Sequence, residues 1–429
     1  MKQLKKGWSF VLCLLLVFTL FIPVSAAQEG QTLNVYNWGV YMDLGGDDGA
    51  YYDEKASMDV NKAFESWYLQ TYGESITVNY SNYENNEAMY QKLVAGGASY
   101  DIVIPSDYMV NRLIKEDRLE KLDFSQIPNY EFIDDSYKGE SWKYDPTHEY
   151  TVPYMGGYVG IVYNAGFVQG SVNSWDVLWD EAYKGKILMF NNPRDAFMIA
   201  LAKNGFSLNT TNTTQWEKAY EDLVAQKPLV QGYVTDEVFD KMQNGEAYLA
   251  PCYYGDFLTM QEQAAEGVNL QFGLITAQRS NKFVDAVCIP KGCQNKVAAQ
   301  RYINFLCSYA AGVANANYTG YTSPLESVAQ NKGELYYHYS CDPGVYPSQT
   351  VLQNYEEYLY LGIATQAVMD NYWKSLKKSE GGVLMYLALG GVLVLAAVIL
   401  VYRKLRQKKL QKLQQKAREE YDNKKKTKK

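Results

Sequence analysis

Histidine is nearly absent: His148 and His338 are the only two in 429 residues. That leaves no histidine-based metal cluster and little scope for histidine-dependent nucleophilic catalysis. Neither a Walker phosphate loop nor the nucleophile elbow G-x-S-x-G occurs. Cysteine is scarce as well. Cys13 lies in an N-terminal apolar run, and Cys252, Cys288, Cys293, Cys307 and Cys341 form an odd set without C-x-x-C spacing, so at least one thiol is unpaired. Cys307 ends the apolar segment from Tyr302 and reads as a packed small hydrophobe. Nothing here implies a metal or a cofactor, and between its two ends the chain has no repeat or low-complexity run.

What is present begins with those ends. Lys2, Lys5 and Lys6 precede an apolar run from Phe10 to Val24, followed by the small residues Ser25 and Ala26, the pattern of a secretory signal peptide over 1–26. Cys13 follows Leu12 rather than a small residue, so lipid attachment is not expected there. Residues 382–402 carry no charge and are long enough for one transmembrane helix. Arg403, Lys404 and Arg406 follow, which assigns the 403–429 tail to the cytoplasm and the rest of the mature chain to the outside. The Lys-rich tail suits contact with anionic lipid. With both ends set aside, 25 basic residues face 45 acidic ones. A net charge of this sign repels nucleic acid and favours cationic solutes.

The exported part, roughly 350 residues, exceeds one compact core and predicts two lobes. Short β-rich runs alternate with helical periods: strands at 33–36, 76–80 and 101–104, helices at 60–72, 86–95 and 108–116, then a strand near 157–163. A second series follows, with helices at 215–225 and 235–244 and a strand near 247–250. This is the βαβ rhythm of a largely parallel α/β sheet. The chain is organised around Lys184 to Lys203, where the apolar strand Ile187 to Phe190 turns directly into a helix. Asn192 fits the N-cap, Pro193 the first turn, and Asp195 the third position, where a carboxylate can bond back to the cap. Ligands collect at such strand ends. The acidic stretch from Asp43 to Glu54 lacks the spacing of a calcium loop and reads as a solvated loop.

Six segments, taken together, carry a resemblance: Y-N-W-G-V-Y from Tyr36, Y-E-N-N-E-A-M-Y-Q-K-L from Tyr83, Y-D-I-V-I-P-S-D-Y from Tyr100, S-W-D-V-L-W-D-E-A-Y-K-G-K from Ser174, F-V-D-A-V-C-I-P from Phe283 and T-G-Y-T-S-P from Thr319. In that order they resemble the spermidine/putrescine-binding proteins of bacterial ABC importers over nearly all of 32–378. The resemblance implies a two-lobed periplasmic-binding-protein-like (type II) α/β fold with its ligand cleft between the lobes. It suggests one lobe from 27–154 and 285–329 and another from 155–284 and 330–378, to which the apolar pattern of 382–402 adds a transmembrane helix. Carried over by position, it implies aromatic walls at Trp38, Tyr41, Tyr108 and Tyr321, polar contacts at Ser106 and Thr235, and further aromatic positions at Tyr253 and Phe283. The family's central acids fall on Asn192, Asp195 and Asp285. A contact near Tyr358 needs a gap in the alignment. The membrane helix and the acidic insert depart from the family pattern, as do Asn192 and Val40, which stand where acids are usual.

The chemistry is coherent by itself, since ammonium groups call for carboxylates while aromatic faces attract cations and cover methylenes. The expectation is a membrane-anchored extracellular receptor that captures a polyamine, a putrescine-like diamine ahead of spermidine given Asn192 and Val40. It would pass this ligand to an ABC permease with its ATPase, and would catalyse nothing. The rivals are a binding protein for a sugar or amino acid, a secreted glycosidase using Asp195 and Asp285, and a surface polyamine sensor.

Overall fold

The computed structural model describes residues 31–96, 99–138 and 142–378. The expected signal peptide, the apolar stretch 382–402 and the basic tail lie outside the described residues. Among the described residues no helix is long and apolar enough to cross a membrane.

The first wing is built on β1 (Gln31–Trp38), which pairs in parallel with β2 (Ile76–Tyr83) on one side and β3 (Ile102–Val103) on the other. Helix α1 (Val60–Tyr72) provides the crossover that a parallel pair requires. Asp59 caps it by accepting from the Lys62 amide, and Gly73, at φ 70°, ends it in a left-handed turn closed to most side chains. Val60, Phe64 and Tyr68 recur at i, i+4 and i+8, so one face of α1 packs against Leu33 and Val35 of β1. Helices α2 (Asn86–Val94) and α3 (Asp107–Lys115) follow β2 and β3 directly.

Two long strands join this wing to a second one. In β4 (Thr151–Asn164) the first part runs antiparallel to β9 (Ser280–Cys288), from Thr151 opposite Cys288 to Tyr158 opposite Lys282, with a register shift between Pro153 and Met155. The remainder of β4 pairs with β7 (Leu249–Tyr253) and β8 (Leu270–Gly273). Beyond β7 lie β5 (Ile187–Phe190) and β6 (Val230–Val234), parallel to each other and wrapped by α4 (Pro193–Lys203), α5 (Thr213–Gln226), α6 (Glu237–Gln243) and α7 (Tyr254–Glu262). The strand order is β2-β1-β3-β9-β4-β7-β5-β6. The sheet is therefore mixed rather than largely parallel. Pairs bridged by a helix within one wing are parallel, whereas β4 and β9, which cross between wings, run antiparallel to each other.

Helices α8 (Lys296–Leu306) and α9 (Tyr309–Thr319) complete the first wing. Tyr337, Tyr339 and Val345 pack in that same core, while Tyr355, Tyr358 and Leu361 pack with Trp175 and Phe197 of the second. The insert from Asp43 is not a solvated loop throughout. Asp43 is fully buried and accepts from the Gly45 and Met58 amides, and Ala50 and Tyr51 donate to the carbonyls of Tyr318 and Asn317. Burial pushes the Asp43 carboxyl up to about 6. The five described cysteines are all free thiols, Cys252, Cys288 and Cys307 buried.

Candidate functional site

The strand ends of both wings face one cavity with about 970 Å³ of empty space, its mouth included. All eleven residues singled out from sequence line it. From the first wing come Trp38 at the end of β1 and Tyr41 just past it, with Ser106 and Tyr108 at the start of α3. The second wing contributes Asn192 and Asp195 at the β5–α4 turn, Thr235 past β6, and Tyr253 at the end of β7. Phe283 and Asp285 come from the crossing strand β9, and Tyr321 follows α9.

Four carboxylates in the wall are each held by tyrosine. Tyr41 Oη donates to Asp285 Oδ2 at 2.6 Å, and Tyr321 Oη to Asp256 Oδ1 at 2.7 Å. Tyr108 Oη donates to Glu87 Oε1 at 2.9 Å. Asp195 takes two, from Tyr253 Oη to Oδ2 at 2.5 Å and from Tyr358 Oη to Oδ1 at 2.8 Å. A hydroxyl donor orients one carboxylate oxygen and leaves other lone pairs for a ligand. Asp285 is only 4% exposed, yet its Oδ1 has no hydrogen-bond partner in good geometry, as is true of Glu87 Oε2 and the Trp38 indole N–H.

These acids are uncomfortable when ionised. Burial pushes the Asp285 carboxyl up to about 6, against the pull of the Ser106 and Tyr41 hydroxyls. Burial likewise raises Glu87 to about 7 despite the Tyr108 bond, and Asp256 to about 7 despite the Tyr321 bond. Asp236, exposed at the mouth, is raised by desolvation and by its acidic neighbours Glu237 and Glu84. Six acids line the cavity: Glu84, Glu87, Asp195, Asp236, Asp256 and Asp285. Among the described residues no Lys, Arg or His lines it. A wall of this kind suits a cation with several donor groups.

Aromatic rings supply the rest. Trp38 leans on Tyr83 at 4.7 Å between centroids, Tyr41 meets Tyr321 edge-on at 5.1 Å, and Tyr253 meets Phe190 and Phe283 at 5.1 and 5.5 Å. Glycine makes the room for two of them. A Cβ at Gly255 would stand 2.3 Å from Tyr321 Cδ2, and one at Gly157 would stand 2.8 Å from Phe283 Cζ. The wings also touch across the mouth, where Asn191 Nδ2 donates to Glu84 Oε1 at 3.0 Å and a Cβ on Gly39 would meet Asp236 Oδ2 at 2.8 Å.

Asn192, where the resemblance implied an acid, makes two bonds to Asp195. Its Oδ1 accepts the Asp195 amide at 2.8 Å, capping α4, and its Nδ2 donates to Asp195 Oδ2 at 2.7 Å. A carboxylate could cap but could not donate. Val40 does not line the cavity.

Comparison with known proteins agrees with this geometry. Residues 30–337 match the family model described as bacterial extracellular solute-binding protein. The chain belongs to that family. A spermidine/putrescine-binding periplasmic protein of Escherichia coli is 29% identical over 374 residues, covering 87% of this solute-binding protein and 99% of the relative. The putrescine-binding periplasmic protein SpuD of Pseudomonas aeruginosa is 27% identical over 377 residues, covering 83% and 95%. Among solved structures, a spermidine/putrescine ABC transporter protein from Listeria monocytogenes superposes with a TM-score of 0.70 at 29% identity, over 81% of this chain and 99% of the other. The solute-binding protein thus has the two-lobed periplasmic-binding-protein-like fold, and it is a binding protein for transport rather than an enzyme.

Several lining groups were not singled out from sequence. Glu87 and Asp256 sit in the first turns of α2 and α7, where an acid is ordinarily read as a helix-end charge. Asp236 precedes α6 in the same way. Tyr358, near which the resemblance implied a contact it could not place, belongs to an irregular segment without periodicity, and its position against Asp195 depends on tertiary packing alone.

Proposed function

We propose that this protein captures a polyamine outside the cell by closure of its two lobes and delivers it to the permease of an ABC importer driven by a separate ATPase. The observation that carries this reading is the cavity wall, six carboxylates and several aromatic rings with no described cationic side chain. The names of the relatives point the same way. An amino-acid ligand would bring a carboxylate with no Lys or Arg to receive it, and a neutral sugar would leave the acids uncompensated.

In this reading Asp195 and Asp285 receive ammonium groups, and Asp256 joins them. Trp38, Tyr41, Tyr108, Tyr253, Phe283 and Tyr321 cover methylenes and attract the charge, while Ser106, Thr235 and Asn192 position it. One lobe comprises 27–154 and 285–329 and the other 155–284 and the C-terminal segment, the stretch to Val345 being assigned to the first lobe because Tyr337, Tyr339 and Val345 pack there. Ligand bridging both lobes favours the closed state by population shift. In the same reading residues 1–26 direct export, the uncharged apolar stretch 382–402 anchors the protein, and the tail faces the cytoplasm.

Isothermal titration of the full-length chain in detergent with putrescine, cadaverine, spermidine, a sugar and an amino acid tests the reading. One-to-one binding of an amine, lost in Asp285→Ala and weakened in Trp38→Ala, is the expected result. A folded sample that gives heat with the sugar or amino acid and with no amine would overturn it.

A further inference from the structure

Glu87 is the carboxylate in the wall that the site's other acids do not explain. It stands in the first turn of α2 on one lobe and lines the same cavity as Asp195, at the start of α4 on the other. Tyr108 donates to Glu87 Oε1 at 2.9 Å, and both Glu87 and Tyr108 lie close enough to Asp195 to feel its charge. A purely structural acid at this position would spend both oxygens on the protein. Instead Oε2 is buried without a partner, and no Lys or Arg among the described residues pairs with Glu87. A second orphan oxygen, Asp285 Oδ1, belongs to a side chain 96% buried in the wall of the same cavity. Two carboxylate oxygens that lack a well-aligned donor therefore line one cavity where no described Lys, Arg or His does, and a cationic ligand can supply those donors.

Resting on the polyamine reading above, we infer that Glu87 is a ligand-binding carboxylate that pairs with Asp195 across the cleft, forming one ammonium-binding pole, with Asp256 and Asp285 supplying the rest. Four inner carboxylates match a ligand with three ammonium groups better than one with two, so Glu87 sets the preference for chain length. Desolvation and the nearby Asp195 and Asp370 raise Glu87, as expected for an acid whose counter-ion arrives with the ligand.

Glu87→Gln is the deciding variant, because Gln retains an oxygen to accept from Tyr108 while removing the charge. Titration calorimetry of the full chain in detergent, with putrescine and spermidine against wild type, Glu87→Gln and Asp285→Asn, reads the result. Hydrogen bonds to charged groups predict about a 10- to 100-fold loss of spermidine affinity in Glu87→Gln, with a smaller loss for putrescine. Near-wild-type spermidine binding in Glu87→Gln, with binding lost in Asp285→Asn, would overturn the assignment and make Glu87 a support for Tyr108. If wild type bound neither amine, the polyamine reading itself would fall, and this inference with it.

Discussion

Val40 holds a φ of 46°, a left-handed conformation that a β-branched residue rarely adopts. Its neighbours keep it there. The Trp38 carbonyl accepts from Asn82 Nδ2 and the Tyr41 carbonyl from Tyr154 Oη, so the turn between two site aromatics is pinned on both sides. Such strain is typical of binding loops. Asn tolerates the region, and Val40→Asn is expected to raise the free energy of unfolding by about 1 kcal/mol in denaturant titration. At the same scale, Trp38 and Tyr41 at the end of one strand and Asn192 and Asp195 at the end of another were legible because strand ends form ligand clefts, whereas the other positions expected to line the site were implied only by the family resemblance. Glu87 and Asp256 were legible in neither way. An acid in a first helical turn has a sufficient local explanation, and only the fold shows both facing the cavity.

At the scale of elements, the β5–α4 turn illustrates both sides. Asn192 as cap, Pro193 within the first turn and Asp195 at the third position were readable and are so placed. The destination of the Asp195 carboxylate was not, because Tyr253 comes from β7 and Tyr358 from beyond β10 (Tyr355–Glu356). Asn192→Ala should lose about 1 kcal/mol through the missing cap. Asn192→Asp keeps the cap but sets a second carboxyl where Nδ2 now lies 2.7 Å from Asp195 Oδ2. Thermal melts above pH 7 should therefore show Asn192→Asp below wild type without ligand, with the gap narrowed by saturating polyamine. A melt for Asn192→Asp equal to wild type at that pH would mean that Asn192 does not hold Asp195. Helices α1 to α6 and most strands were legible from their periods, whereas α7, α8, α9 and the antiparallel run of β4 against β9 were not. Its partners lie more than a hundred residues apart and no local signal encodes their direction.

For the whole molecule, the buried acids of the cleft make stability depend on pH in an unusual sense. Glu87 and Asp256 are raised to about 7 and Asp285 to about 6, and Asp195, Asp236 and Asp370 add negative charge around them. In the unfolded chain such carboxyls ionise near 4. Between about 4 and 7 the folded protein therefore holds more protons than the unfolded one, and its stability falls as pH rises through that window. Paired surface acids such as Glu116 and Glu149, held below their ordinary value, act in the opposite sense but at lower pH. The melting temperature of the ligand-free protein should thus fall between pH 5 and 8. A polyamine binds the ionised acids, so saturating ligand should remove most of that fall, and binding should release protons, read as a buffer-dependent heat in calorimetry. Asp43, raised to about 6 but outside the cavity, supplies the internal control: its share of the pH dependence should persist with ligand and vanish in Asp43→Asn. A ligand-free melting temperature that stays flat or rises from pH 5 to 8 would mean that the acids of the cleft are compensated by the protein itself, and that the cavity does not wait for a cation.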